Sequence, residues 1–131
     1  MIIDTDVFVW YLRGNLTAKI SVEENIPFSI SVVTYMELIQ GMRTKDELKR
    51  FQKQIRRWNI AIIQIDREIS SRAMFYVQEY ALSHSMMLAE GLIAATAVQH
   101  GDILLTANDK HYKFIPMIEC NKFIPDLNDL V

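Results

Sequence analysis

The chain has 131 residues, of which half are apolar and 23% are charged, and its formal net charge is −2. This length and composition predict a single folded domain over residues 1–131 and exclude a disordered chain. The single cysteine excludes an intrachain disulfide framework. No apolar run approaches the roughly 18 residues of a membrane span. Asp4 and Asp6 interrupt the apolar N-terminus, which is therefore not expected to be a signal peptide. We expect a cytoplasmic protein.

Short apolar runs alternate with helical segments along the chain. Helices are predicted at residues 6–12, 17–24, 32–40, 44–58, 67–83 and 88–100. Strands are predicted at residues 1–5, 28–31, 60–65, 103–106 and 114–118. This alternation predicts an α/β fold with a parallel sheet that is covered by helices on both faces.

Acidic residues lie near the predicted carboxyl ends of the strands, where open α/β sheets place their sites. Asp4 follows the first strand, Glu37 lies in the helix after the second strand, Glu90 opens the helix before the fourth strand, and Asp109 follows that strand. Clustered carboxylates suit a hard divalent cation such as Mg²⁺ or Mn²⁺. Such an ion activates water for phosphodiester hydrolysis.

Each of these acidic residues also has a structural explanation. Asp4 and Asp109 could be helix caps, Glu90 could interact favourably with its helix dipole, and Glu37 could be a solvated helix residue. Their joint occurrence favours a metal site. The histidines lack zinc-site spacing and are interpreted as surface or capping residues: His84, His100 and His111.

Basic residues are concentrated in one segment. Seven of the 14 lysines and arginines lie between Arg43 and Arg57. They could contact phosphates of a nucleic acid or form a solvated face of the helix at 44–58.

Three segments together resemble the signatures of PIN-domain ribonucleases of the VapC toxin type. They are MIIDTDVFVWYLRG, SISVVTYMELIQG and LAEGLIAATAVQHGDILLTANDKHY, in matching order and spacing. The resemblance implies a three-layer α/β/α sandwich with a central, mainly parallel sheet of four to five strands. It also implies a Mg²⁺- or Mn²⁺-dependent endoribonuclease acting on RNA, a cognate antitoxin protein as partner, and a homodimer.

The resemblance assigns roles to individual positions. It predicts metal ligands at Asp4, Glu37 and Glu90, although the family usually has Asp at the position of Glu90. The fourth acidic position falls on Asn108, with Asp109 next to it as a further catalytic candidate. Residues expected to support the ligands are Thr5, Asp6, Ser31, Thr106 and Asn108. Those expected to contact RNA are Arg13, Arg43, Lys45 and Lys49.

Two alternatives remain open at this point. The segment I-I-D-T-D-V also resembles the motif of haloacid-dehalogenase-type phosphatases, in which Asp4 would be the nucleophile. The substitutions at Glu90 and Asn108 are also compatible with a catalytically decayed binding module.

Overall fold

The computed structural model describes residues 1–128, and five strands in that range form one sheet. They are β1 (Ile2–Ile3), β2 (Ser29–Ser31), β3 (Ala61–Ile63), β4 (Ile103–Thr106) and β5 (Glu119–Lys122). The strand order is β3-β2-β1-β4-β5, and each neighbouring pair is parallel. The predicted parallel sheet is therefore confirmed.

Six helices connect these strands within the described range. They are α1 (Thr5–Leu12), α2 (Leu16–Glu23), α3 (Val32–Gln40), α4 (Lys45–Arg57), α5 (Arg67–His84) and α6 (Leu88–Gln99). A short 3₁₀ turn follows β4 at Asp109–His111. Several helices begin at a side chain that accepts a backbone N–H of the first turn, which stabilises the helix start. These caps are Asp4, Asn15, Ser31, Thr44 and Asp66.

Two apolar cores enclose the sheet. Side chains along a strand alternate between its faces. Ile2 and Leu104 accordingly pack with residues of α5 and α6 on one face of the sheet. Ile3 and Leu105 pack with residues of α1, α2 and α4 on the other face. This arrangement confirms the three-layer α/β/α sandwich. No helix within residues 1–128 is long and apolar enough to cross a membrane.

The predicted fifth strand at 114–118 is wrong. That segment forms turns, with Met117 at a φ of 67° and Ile115 buried in the core. Pro116 lacks the N–H that a sheet ladder requires. The real fifth strand is the polar segment Glu119–Lys122, which pairs with β4 along one side only. An edge strand with exposed side chains has no apolar pattern to identify it.

Candidate active site

An acidic cavity of about 240 Å³ lies at the carboxyl ends of β1 and β4. Asp4 directly follows β1, and Thr106 is the last residue of β4. Because the two strands are parallel neighbours, their carboxyl ends bring these side chains together. The cavity is lined by the three predicted metal ligands, Asp4, Glu37 and Glu90. Side chains far apart in sequence thus meet at the predicted edge of the sheet.

Asp4 is both a helix cap and a wall of this cavity. Only 5% of the residue is exposed. Its Oδ1 accepts a hydrogen bond from the backbone N–H of Thr5 at 2.8 Å, which caps α1. Its Oδ2 accepts a hydrogen bond from the hydroxyl of Thr106 at 2.8 Å. Asp4 is therefore a helix cap, as the sequence allowed, and it also lines the cavity, while its role as a metal ligand stays a prediction.

Asp6 places a second carboxylate beside Asp4. Its Oδ2 accepts hydrogen bonds from Asn108 Nδ2 at 2.9 Å and from the backbone N–H of Ala107 at 3.2 Å. Burial and the neighbouring charge of Asp6 raise the pKa of Asp4 to about 7. Burial also raises the pKa of Asp6. Asp6, which the sequence suggested only as a supporting residue, is thus part of the acidic group in the cavity.

Thr5 connects the end of β1 to α3. Its Oγ1 lies 2.7 Å from Glu37 Oε1 and 3.0 Å from Thr34 Oγ1. Glu37 is exposed, so its carboxylate is solvated and also lies at the rim of the cavity. The structure does not bring Ser31 to the ligands, because its hydroxyl caps α3 by accepting from Val33 N–H at 3.0 Å. Buried Thr34 contacts Thr5 in its place.

Both carboxylate oxygens of Glu90 contact nitrogen atoms of the protein. Its Oε1 accepts from the backbone N–H of Met87 at 2.8 Å, and its Oε2 contacts His111 Nδ1. The first contact places the Glu90 carboxylate at the start of α6, which agrees with the structural explanation that the sequence also allowed for Glu90. His111 lies at the surface, with 46% of its side chain exposed, but it also lines the cavity. Sequence spacing missed this contact, although the position of His111 after β4 was a signal that it lies at this edge.

Tyr112 is a further cavity residue that the sequence did not identify. It is buried and lines the cavity together with Asp4. Burial, together with the nearby charge of Asp4, raises the pKa of its hydroxyl. Tyr112 therefore remains neutral beside the acidic pair.

The structure separates the two candidates for the fourth acidic position. Asn108 lines the cavity, and its backbone N–H donates to Thr106 Oγ1 at 3.1 Å. Asp109 is not among the residues of the described range that line it. Its Oδ1 lies 3.8 Å from Lys122 Nζ on β5. The turn that directs Asn108 toward Asp6 therefore directs Asp109 toward the edge strand.

A larger groove of about 750 Å³ shares Glu37 with the acidic cavity and is lined by residues of α1, α3 and α4. Arg13 lines this groove, and so does Arg50, which the sequence analysis did not select. The other three predicted phosphate contacts are exposed, and within residues 1–128 they do not line the groove: Arg43, Lys45 and Lys49. Two guanidinium groups thus line a groove that meets the acidic cavity at Glu37.

The chemistry of the cavity suits a divalent cation. Within residues 1–128 no lysine or arginine lines it, so its carboxylates face neutral donors and His111. Burial, followed by the neighbouring charge of Asp6, raises the pKa of Asp4 in this cavity. No three His, Cys, Asp or Glu side chains in the same range are already arranged to hold an ion. Binding would require side-chain rotation, since the carboxylates bond to protein donors.

Comparison with known proteins finds matches over most of the chain. The PIN domain family model matches residues 1–115. Ribonuclease VapC10 of Mycobacterium tuberculosis is 34% identical over 125 residues, covering 91% of this chain and 88% of that relative. These relatives do not support the phosphatase alternative.

Solved structures with similar folds include a toxin–antitoxin complex and two DNA-bound VapBC proteins. A complex from Klebsiella pneumoniae has a TM-score of 0.71 and 28% identity, covering 89% of this chain and 93% of that chain. DNA-bound VapBC from Salmonella typhimurium has a TM-score of 0.76 and 20% identity, covering 92% of this chain and 96% of that chain. VapBC2 from Rickettsia felis, bound to a promoter fragment, has a TM-score of 0.74 and 20% identity over 94% and 98% of the two chains. The last two similarities concern the fold alone.

Proposed function

Because the chain belongs to the PIN-domain family, we propose that it is a metal-dependent endoribonuclease and the toxin of a toxin–antitoxin pair. The observation that supports this most directly is the meeting of Asp4, Asp6 and Glu37 at a cavity without lysine or arginine in the described range. A negatively charged phosphodiester approaches such a cavity only if a cation offsets the negative charge of the carboxylates.

The cavity carboxylates are the proposed holders of that cation. Asp4, Asp6 and Glu37 would provide oxygen ligands, and Glu90 lies at the same cavity. A bound Mg²⁺ or Mn²⁺ polarises a phosphoryl oxygen and lowers the pKa of bound water. Thr106 and Thr5 donate hydrogen bonds of 2.8 Å to Asp4 and 2.7 Å to Glu37, and these bonds keep both carboxylates at the cavity.

The neighbouring groove gives the substrate a path away from the cavity. Arg13 and Arg50 line this groove, and guanidinium groups bind phosphates well. We propose that they contact phosphates of the RNA strand on one side of the scissile bond. Replacing either residue by Ala should weaken RNA binding and reduce its dependence on salt.

The partners follow from the relatives. One solved neighbour is described as a toxin–antitoxin complex, so we propose that a small antitoxin protein binds this chain and restrains it. We also propose a homodimer in the cytoplasm, with the chain folding as one PIN domain.

The central test is RNA cleavage by the purified chain with Mg²⁺ or Mn²⁺, and with a chelator. We expect Asp4→Asn to lower the rate by at least about 100-fold, because it removes charge at the reacting centre. Glu79→Gln, an exposed carboxylate on α5, is the matched control and should leave the rate unchanged. Asp109→Asn should also retain activity within about threefold, since it lies outside the cavity.

Two results would contradict the proposal. One is a parent chain that fails to cleave RNA with either cation, which is the outcome expected of a decayed binding module. The other is an Asp4→Asn chain that cleaves as fast as the parent after removal of contaminating nucleases.

A further inference from the structure

The contact between Glu90 and His111 is unusual for a carboxylate expected to bind a cation directly. One oxygen of Glu90 is bonded to Met87 N–H, and the other contacts His111 Nδ1. His111 Nε2 has no hydrogen-bond partner among the residues that the structure describes. His111 itself lines the acidic cavity together with Asp4 and Asp6. The free ring nitrogen therefore belongs to a cavity residue.

A carboxylate on one ring nitrogen is the usual support for a histidine that binds metal through the other. The carboxylate accepts the N–H, fixes the tautomer and the ring orientation, and makes the free nitrogen a better ligand. Glu90 is well placed for this role because its other oxygen is fixed to the first turn of α6. The longer side chain at position 90 reaches the turn after β4, on which His111 is carried.

We propose that His111 is a nitrogen ligand of the cation site and that Glu90 is a positioning residue that orients its ring. This inference rests on the proposed function, since it concerns the same cation. It changes the donor set from carboxylate oxygens alone to oxygens and one imidazole. Mg²⁺ takes oxygen ligands, whereas imidazole nitrogen suits first-row transition metals. The site should therefore discriminate Mn²⁺ from Mg²⁺ through His111.

Pulsed electron paramagnetic resonance of bound Mn²⁺ tests this directly, because it detects a nitrogen in the coordination shell. We expect a ¹⁴N coupling in the parent chain and its loss in His111→Asn. Mn²⁺ affinity should fall about 10- to 100-fold in that variant, while Mg²⁺ affinity changes by less than about threefold. His100→Asn is the matched control, because this exposed residue ends α6 about 18 Å from the helix start at the cavity.

Glu90→Gln separates positioning from direct ligation. The ring nitrogen remains in this variant, so the ¹⁴N coupling should persist while Mn²⁺ affinity falls about 10-fold or more and Mg²⁺ affinity changes by less than about threefold. An equal loss of Mg²⁺ affinity would show that Glu90 is a direct ligand and overturn its positioning role. If His111→Asn does not fold, the His84→Asn/His100→Asn chain labelled with ¹⁵N-histidine leaves His111 as the single histidine. A ¹⁵N coupling to Mn²⁺ in that chain then assigns the ligand.

The outcomes distinguish the two proposals. A parent that binds Mn²⁺ without a nitrogen coupling overturns the role of His111 and leaves the proposed ribonuclease standing. A parent that binds neither Mn²⁺ nor Mg²⁺ overturns both. A coupling that survives in folded His111→Asn also overturns the assignment.

Discussion

Replacing Asp4 by Asn should stabilise the cation-free protein at alkaline pH while removing its proposed activity. Asp4 is 5% exposed and lies beside the carboxylate of Asp6. The folded chain therefore has to hold a charge that its surroundings disfavour. Asn has the same shape, and its amide oxygen can still accept from the backbone N–H of Thr5, so the cap of α1 is retained.

The magnitude follows from the pKa of Asp4, which rises from an ordinary 3.8 to about 7 in the fold. A difference of one in pKa corresponds to about 1.4 kcal/mol. Above pH 7 the charged form of Asp4 therefore lowers the free energy of unfolding by about 4 kcal/mol. A neutral cap is weaker by about 1 kcal/mol, which leaves a net gain of about 3 kcal/mol. At pH 4 the carboxyl is protonated in the folded chain and close to its pKa of 3.8 in the unfolded chain, so the gain falls to less than about 1 kcal/mol. The stability of the parent should accordingly fall as pH rises from about 4 to about 7.

Urea denaturation at pH 8 and pH 4, followed by tryptophan fluorescence in chelator, measures the two free energies of unfolding. Asp46→Asn, at an exposed carboxylate on α4, is the control and should change them by less than about 1 kcal/mol. Saturating Mn²⁺ should cancel the advantage of Asp4→Asn, because the parent then gains the binding free energy. Two results would refute the reasoning. One is an Asp4→Asn chain that is less stable than the parent at pH 8, and the other is a stability difference between variant and parent that is the same at both pH values.

Two further predictions concern packing and capping, and both are measured by urea denaturation. Gly91→Ala should cost about 1–3 kcal/mol, because the new Cβ would lie 2.8 Å from Val77 Cγ2. That cost should shrink in a Val77→Ala background, and an unchanged cost would show that the close approach is not its cause. Asn15→Ala should cost about 2–3 kcal/mol, because buried Asn15 caps α2 and also donates to a distant carbonyl group at 2.9 Å. Asn25→Ala is the control, because it loses one partly buried hydrogen bond and should cost about 1 kcal/mol or less. Equal losses of stability in the Asn15→Ala and Asn25→Ala chains would contradict this account.

Local patterns predicted most of the elements because their causes are local. The bounds of α3 and β4 agree with the prediction, since Ser31 caps the helix and an apolar run forms the strand. The same logic failed for β5. A strand at the sheet edge has one partner and mostly exposed side chains, so nothing in its own composition marks it. Its position is set by pairing with β4.

The sequence by itself determined the alternating α/β order and the acidic residues at one edge of the sheet, because strand polarity and apolar periodicity are properties of neighbouring residues. Only the tertiary structure decided which groups meet there. It moved Asp6, His111 and Tyr112 into the cavity and left Asp109 outside it. Contacts between separate turns depend on how helices and strands pack in three dimensions, and residue spacing along the chain does not record that.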